Sequence, residues 1–443
     1  MASTATPSSD EQFVTVPLKV LVHKEKNRLV SMESNIEPVR VGSLSSLYQS
    51  VTVLDEQYLC SQTCKEMLLQ PKNSMEAYCQ NLKLNIDDTE PTTYFACANW
   101  HCNRVETRSL LSTFRNQRCH CGKIMNEVMD PQNQTPAIPN GFVMETATLI
   151  ICDDLSVLPN AVVTNVDLLR TLGVEDIAVL EEQVLHISKK EINVKVLVRK
   201  SDGKVLFAEA EEDFVDFLFS FLCFPLGGVL HMLRGSSSSR CMDKLYNGIS
   251  ALSTEKYFGS QELKDKIVNP QCAPLFNLDN LILPIGTESL PVFYFNTYYV
   301  SSCRWKGYSN NRGEYINERL ESCALVASQT SPDNVFHNYI DAKYTKANYV
   351  DPMSSVGKSS RSRGFTKGAS MFMVTDDLIV SPASSVSGVS YINRLKVPLF
   401  DLEEKIIRIG SKEGLGILKA SLTSTSALTN ALKHLFKTIK EEN

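Results

Sequence analysis

The sequence lacks the short motifs that mark the common enzyme classes. Its 443 residues contain no P-loop, no Gly-x-Ser-x-Gly nucleophile elbow and no His-Glu-x-x-His pair. The seven histidines are widely scattered, so their spacing nominates no Ser/His or Cys/His catalytic pair. We therefore assign no catalytic residue and no organic cofactor from the sequence.

A net positive charge is also missing, since the formal net charge is −5 at pH 7. Binding to nucleic acid or to an anionic membrane depends mainly on Lys and Arg that neutralise phosphates. We therefore expect no nucleic-acid partner. The 13 cysteines are an odd number and are unevenly spread, which disfavours a secreted disulfide framework and is typical of a reducing compartment.

The chain lacks an unbroken apolar stretch that would cross a bilayer. Its most apolar segment, Phe214–Met232, approaches the ~20 residues that a bilayer requires, but Asp216 and His231 lie within it and Pro225 interrupts it. We predict a buried amphipathic helix there and no membrane association. Residues 1–12 lack the apolar core of a signal peptide, so we expect a short disordered lead-in to a cytoplasmic or nuclear protein.

What the sequence does contain is an internal repeat. Residues 18–33 align with residues 194–209, and each segment has the pattern of a β-hairpin. The alignment predicts two degenerate copies of one mixed α/β module, built from a hairpin, helices and strands. The later segments pair as 45–54 with 243–252, 62–71 with 261–270, the predicted strands 81–86 with 280–285, 149–159 with 372–382, and 180–188 with 402–410.

These alignments predict an α+β protein with two related lobes. The C-terminal segment should form an amphipathic helix, with an apolar face made of Leu428, Leu432, Leu435, Phe436 and Ile439. The predicted parts are the lead-in at 1–12, the first lobe at 13–191, the second lobe at 192–420 with a long polar loop at 328–367, and the C-terminal helix at 421–443.

The two copies differ by one helix. The offset between them grows from 176 to 198 residues after the hairpin, so the first copy lacks 22 residues, the counterpart of the apolar helix 211–234. The first lobe's uncovered sheet face should then dock against the second lobe or remain open for a partner or for self-association; we favour docking. The helix residues that we expect to be buried are Phe214, Phe217, Leu218, Phe221, Leu222 and Leu226.

Four cysteines of the first copy give the strongest indication of chemistry. Cys97 and Cys102 follow a predicted strand, and Cys119 and Cys121 lie in a Cys-His-Cys-Gly turn. Four thiolates in two close pairs satisfy the tetrahedral shell of a structural Zn²⁺. The second copy has only Cys303 in the equivalent region, so a metal there would belong to one copy alone.

Two alternatives remain open for this cluster. The spacings Cys-x4-Cys and Cys-x-Cys depart from the usual Cys-x2-Cys knuckles, and His101 or His120 could replace a neighbouring cysteine as a ligand. The cysteines could instead be free or redox-active thiols. We predict a structural zinc knuckle with Cys97, Cys102, Cys119 and Cys121 as the metal ligands.

Paired acids form a second, weaker candidate. Asp153-Asp154 and Asp376-Asp377 each follow an apolar strand, where two carboxylates can hold Mg²⁺ beside a phosphate. Acids at such positions are far more often turn or helix-capping residues. We therefore expect turns, and little loss of stability when Asp376 and Asp377 are both replaced by Asn.

Three stretches of the chain carry a family resemblance: NLKLNIDDTEPTTYFAC with the RCHCGKIM turn, KVLFAEAEEDFVDFLFSFLCFPLG, and FMVTDDLIVSP through LEEKIIRIG to GILKASLTSTSALT. Through these stretches the chain resembles the plant proteins that carry the domain of unknown function 674. The resemblance implies that the Cys119–Gly122 turn and helix 211–234 are regular features of the family's domain. It carries over no activity and no catalytic residue.

The sequence thus favours a non-enzymatic interaction or scaffold protein with a structural zinc ion. A protein partner or self-association would provide its function. The alternative is a small-molecule enzyme or ligand-binding protein that uses a cleft between the lobes near Asp376-Asp377. Convergent acids in a concave pocket would favour the alternative.

Overall fold

A computed structural model describes most of the chain. The described residues are 41–76, 92–132, 149–151, 157–159, 191–258, 260–276, 278, 281–307, 313–328, 335–337, 340–353, 364–367 and 370–439. The lead-in at 1–12, the first hairpin at 18–33 and the segment 180–188 lie outside these residues.

Eleven α-helices and eighteen strands occur in the described part of the chain, which is a mixed α+β fold as predicted. The helices are α1 Leu44–Val53, α2 Gln62–Leu69, α3 Trp100–Asn103, α4 Glu212–Ser220, α5 Leu226–Met232, α6 Arg240–Ala251, α7 Thr254–Tyr257, α8 Gln261–Val268, α9 Ser385–Leu395, α10 Ser411–Thr423 and α11 Ala427–Leu432. The strands of the first copy are β1 Tyr94–Ala96, β2 Leu110–Leu111, β3 Gln117–Arg118, β4 Ile124–Met125, β5 Glu127–Met129, β6 Pro131–Gln132, β7 Leu149–Ile151 and β8 Val157–Pro159. Those that follow are β9 Ile192–Arg199, β10 Lys204–Ala210, β11 Phe293–Gly307, β12 Gly313–Ala327, β13 Val335–His337, β14 Ile340–Lys346, β15 Asn348–Tyr349, β16 Phe372–Thr375, β17 Val380–Pro382 and β18 Leu402–Ile409.

The chain divides into two compact units, and each draws on both sequence copies. We call residues 1–89, 140–288 and 353–443 the sheet unit, and residues 90–139 and 289–352 the cysteine unit. The two lobes predicted at 13–191 and 192–420 describe the repeat in the sequence. The units describe which residues pack together, and they cut across that repeat.

A five-stranded antiparallel sheet forms the centre of the sheet unit, in the order β17-β16-β10-β9-β18. Strands β9 and β10 make the predicted second hairpin, which turns at Asp202-Gly203, and Gly203 has the positive φ of +71° that favours glycine in such a turn. Val194, Val196 and Val198 of β9 are buried because alternate residues of a strand face the same side.

The apolar segment of the second copy is buried, as predicted. It is divided into α4, a 3₁₀ turn at Phe221–Cys223 and α5, with the break at Pro225. Among the described residues, no helix is long and apolar enough to cross a membrane. The side chains predicted to be inside are each at most 1% exposed: Phe214, Phe217, Leu218, Phe221, Leu222 and Leu226.

The internal repeat is visible in individual hydrogen bonds. Ser61 caps α2 by accepting from the backbone N–H of Cys64, and Ser260 caps α8 by accepting from the N–H of Leu263. Lys65 Nζ donates to the Leu54 carbonyl at 2.7 Å. Its counterpart Lys264 makes the same bond to Leu252, also at 2.7 Å.

Strand register repeats as well. In the β7–β8 pair, Leu149 lies opposite Pro159, and in the β16–β17 pair Phe372 lies opposite Pro382. These residues are 223 positions apart in both strands, the offset at which the two segments align in the sequence. The two hairpins therefore have the same register.

The copies interlock within the sheet unit. Helix α1 of the first copy contacts β17 of the second, and α6 of the second copy contacts β8 of the first. Helix α4, for which the sequence of the first copy has no aligned counterpart, contacts α1 of the first copy and strands β9 and β10 of the second. One apolar helix thus covers surface from both copies.

Three sequence predictions require correction. The segment 328–367 is not one polar loop, because strands β13, β14 and β15 lie within it. β14 pairs with β11 through backbone hydrogen bonds, which polar side chains do not prevent.

The second correction is that residues 281–285 are not a strand. Ile282 and Leu283 are both buried, so burial does not alternate, and Pro284 has no N–H to donate.

The C-terminal segment is helical but is not one helix from residue 421. Helix α10 continues to Thr423, Ser424 is extended, and α11 is followed by a 3₁₀ helix at Lys433–Ile439. The hydroxyl of Ser424 accepts from the Ser426 backbone N–H at 2.9 Å, which holds the break. Leu428 and Leu432 are buried as predicted.

Candidate metal centre

Two short elements of the cysteine unit place the first cysteine pair. Cys97 directly follows β1, and Cys102 lies in the single helical turn α3. Because the chain bends between the strand and this turn, the two thiols face the same space. The backbone N–H of Asn99 donates to Cys97 Sγ at 3.4 Å, as an N–H near a metal thiolate does.

A tight hairpin places the second pair. Strands β3 and β4 pair antiparallel, and the chain between them contains Cys119 and Cys121. The N–H of Cys119 donates to the Lys123 carbonyl, and the N–H of Gly122 donates to the Cys119 carbonyl, both at 2.9 Å. Gly122 has φ +83°, a conformation that L side chains rarely adopt, which accounts for glycine at this position.

The structure brings all four predicted cysteines together. Their sulfur atoms lie within 4.8 Å of one another, and Cys97 Sγ and Cys121 Sγ are 3.5 Å apart. A tetrahedral Zn²⁺ with Zn–S bonds of ~2.3 Å requires sulfur separations of about 3.8 Å. Cys97, Cys102 and Cys119 are buried and Cys121 is exposed. The geometry and the all-thiol donor set fit a zinc ion.

Burial and hydrogen bonding act on these thiols in opposite directions. Burial raises the pKa of Cys97 to about 11 and raises the pKa of Cys102 well above its usual value. A hydrogen bond from the Lys123 backbone lowers the pKa of Cys121 to about 7. Without a metal, Cys97 and Cys102 are therefore protonated at neutral pH, and a zinc ion would displace those protons.

The alternative histidine ligands lie elsewhere. His101 and His120 are exposed, and neither belongs to the group of converging ligand atoms. Within the described part of the chain, these four cysteines form the one group of three or more His, Cys, Asp or Glu side chains placed to hold a metal. The sulfur spacing of 3.5 Å also exceeds the ~2.05 Å of a disulfide.

The cysteine cluster rests on a small core. Met125 is fully buried against Cys97, Cys102 and Cys119, with Leu110 and Val350 packed beside it. A second cluster of buried apolar side chains belongs to the same unit. Its buried members are Ala96, Leu111, Met129, Phe293, Phe295, Leu325 and Ala347.

The acids at 376–377 lie in a turn, as predicted, but they also hold two helices. Asp376 Oδ1 accepts from the backbone N–H of Thr429, in the first turn of α11, at 2.7 Å. Asp377 accepts from the hydroxyls of Ser43 and Ser46, at the start of α1, at 3.0 and 2.6 Å. Carboxylates favour helix N-termini, so both acids have structural partners.

A cavity of about 200 Å³ lies beside these acids, within the sheet unit. Arg199, Lys204, Tyr391 and Ser426 are among the polar residues that line it together with Asp376. Burial raises the pKa of Asp376. Arg199 is paired with Asp202. The cavity thus combines charges of both signs and has room for only a small molecule.

Sequence reasoning missed the role of Asp216. This buried side chain of α4 accepts three hydrogen bonds on Oδ1, from the N–H groups of Phe365 and Thr366 and from the Thr366 hydroxyl, at 2.8 to 3.1 Å. Burial raises its pKa to about 8. A Cβ at Gly364 would overlap the Asp216 carboxylate. An acid inside an apolar helix was the available signal.

The fold and the cluster together define an α+β protein with a cysteine-lined candidate metal centre. A family model described as "Protein of unknown function (DUF674)" matches residues 12–193 and again residues 188–412. The chain belongs to this family and contains it as tandem copies, as the internal repeat predicts. No curated protein and no solved structure matches the chain.

Proposed function

We propose that Cys97, Cys102, Cys119 and Cys121 bind one zinc ion with a structural role, in a non-enzymatic interaction or scaffold protein. The convergence of the four sulfurs within 4.8 Å is the observation that carries the proposal. Four thiolates close the zinc shell and leave no position for a substrate or a catalytic water. The chemistry that such an ion supplies is cross-linking of the chain.

The surroundings of the cluster support a structural role. The ion would join two separate chain segments, Cys97–Cys102 and Cys119–Cys121, and the strands between them, β2 and β3, are only two residues long. Such short strands contribute few backbone hydrogen bonds, so a metal that joins them contributes directly to folding. Free thiols also suit a cytoplasmic or nuclear location.

The alternative, a small-molecule enzyme or ligand-binding protein, draws on the cavity beside Asp376. Its test is retention of a small molecule by the full chain after gel filtration from tissue extract, read by mass spectrometry. Thr425 is an exposed residue of the lining, so Thr425→Trp would fill the mouth of the cavity. A molecule retained by the wild type and lost from this variant would favour the alternative.

The zinc proposal is tested by single replacements in the full chain. We expect about one zinc per wild-type chain, and close to none in Cys102→Ser or Cys119→Ser, because three thiolates leave the shell incomplete. The matched control is Cys241→Ser, an exposed cysteine of the sheet unit, which should keep its zinc.

Chelation supplies a second measurement. Removing the ion should lower the thermal midpoint of the wild type, and restored zinc should return it. The Cys102→Ser variant should melt at the same temperature with and without chelator. A wild-type chain that is purified without zinc, takes up none and keeps its stability would contradict the proposal.

A further inference from the structure

Strand β18 forms an edge of the five-stranded sheet. Within the described residues it pairs only with β9, so its other side presents backbone N–H and C=O groups to a further strand. Burial alternates along it: Glu404, Ile406 and Arg408 are exposed, whereas Ile407 and Ile409 are buried. Ile406 is 80% exposed.

The exposed face of β18 is self-complementary. Consider a second β18 laid antiparallel, with the two Ile406 residues opposite each other on a two-fold axis. Glu404 of each strand then lies opposite Arg408 of the other, because both residues are two positions from Ile406. Opposite charges placed directly across a strand pair stabilise it, and an apolar pair at the centre adds to this.

Neighbouring registers do not offer this arrangement. A two-fold axis perpendicular to the sheet places residues of the same face opposite each other. The axis must therefore pass through a residue of β18, and the neighbouring registers have the axis at Lys405 or at Ile407. An axis at Lys405 would bring two lysines together. An axis at Ile407 would place Arg408 opposite Ile406 and leave Glu404 beyond the strand. The Ile406 register alone pairs both charges.

The side chains of Glu404 and Arg408 remain exposed to solvent and are therefore accessible to a second copy. Glu404 contacts Lys195 at 3.1 Å while its side chain is 64% exposed, and Arg408 contacts Glu191 at 3.6 Å while 74% exposed. Charged residues on an edge strand usually discourage pairing. Here their signs are opposite and their positions symmetric, so an antiparallel copy would pair them.

We infer that a second copy of this chain pairs with β18 edge to edge, antiparallel, with Ile406 at the two-fold axis, to make a continuous ten-stranded sheet. This deepens the proposed interaction role by naming its first partner as the chain itself. The strand lies in the sheet unit, so its test does not depend on the zinc ion.

Charge reversal in two separate chains provides the test, read by analytical ultracentrifugation of the full-length protein. Glu404→Arg alone places two Arg–Arg pairs in the homodimer, and Arg408→Glu alone places two Glu–Glu pairs. Each should dimerise at least about tenfold more weakly than the wild type, since like charges directly opposite destabilise a strand pair. An equimolar mixture restores both Arg–Glu pairs and should form heterodimers near the wild-type affinity.

Ile406→Lys should also abolish the dimer. Val386→Lys is the matched control, because Val386 is 75% exposed on α9, outside the strand, and it should leave the dimer intact. Circular dichroism melts verify that each variant folds. A wild-type monomer at all concentrations, as would result if residues 180–187 of the same chain covered the edge, overturns the inference. A dimer unaffected by either charge reversal, or not restored by mixing, overturns it as well.

Discussion

The helix pairs of the two copies and the regions that follow them have diverged to very different extents. Helices α2 and α8 keep the same serine cap, and in each a lysine donates to the carbonyl of the leucine at the C-terminal end of helix α1 or α6. Both are followed by a buried proline, Pro71 in one copy and Pro270 in the other. Contacts that fix a helix end are local, so each copy can retain them whatever happens elsewhere.

The regions that follow α2 and α8 in the chain contribute to the cysteine unit in two different ways. The first copy contributes strands of two or three residues and the cysteine cluster, whereas the second contributes β11 and β12, each 15 residues long. Long strands stabilise themselves through their ladder of hydrogen bonds. Among the described residues, only the copy with short strands has converging thiols, which fits its smaller ladder of hydrogen bonds.

The largest effect should come from α4, the helix that has no aligned counterpart in the sequence of the first copy. Phe217 of α4 is 1% exposed and contacts Phe221 edge to face. We expect Phe217→Ala to lower the free energy of unfolding by about 3–5 kcal/mol, since it removes buried apolar surface and leaves a cavity. Urea unfolding measures this, with the 82% exposed Phe400→Ala as the control. Equal costs for both would show that α4 does not anchor the fold.

The same helix should make stability depend on pH. Burial raises the pKa of Asp216 to about 8, above its unfolded value. The folded state therefore holds a proton that the unfolded state has lost. The resulting stabilisation is complete below about pH 4 and is lost progressively as the pH rises towards 8. Asp216→Asn should lack this slope in chemical unfolding at each pH; an unchanged slope would contradict the assignment.

The turn acids give a smaller effect than the apolar helix and a larger one than the sequence suggests. Asp377 accepts two hydroxyl hydrogen bonds at the start of α1. We expect Asp377→Ala to cost about 1.5–3 kcal/mol, the usual worth of hydrogen bonds to a charged group. Asp377→Asn should cost less, because its remaining oxygen still accepts. If Asp377→Ala lowers the free energy of unfolding by less than the measurement error, Asp377 serves only as a turn residue.

The smallest effects should be equal in the two copies. Ser61→Ala and Ser260→Ala each remove one helix cap, at about 1 kcal/mol. Thermal unfolding of the two variants beside the wild type tests the retained part of the comparison. A cost in one copy and none in the other would show that the caps are alike in geometry but not in energy.

Local patterns predicted much of this fold. Helix periodicity, the turn at Asp202-Gly203 and the cysteine spacing depend on neighbouring residues, so they can be read along the chain. Strand β14 was missed because its partner β11 lies about 40 to 50 residues earlier and most of its side chains are polar. The bonds from Asp376 and Asp377 to α11 and α1 were missed for the same reason: they join residues that only the folded chain brings together.

The central claim is that the cysteine cluster of the first copy holds a zinc ion that the second copy does not. X-ray absorption at the zinc edge of the purified full chain tests it most directly. The account predicts about one zinc per chain, surrounded by four sulfur atoms at ~2.3 Å. A spectrum dominated by nitrogen or oxygen ligands, or a preparation free of zinc after growth in its presence, would contradict the account.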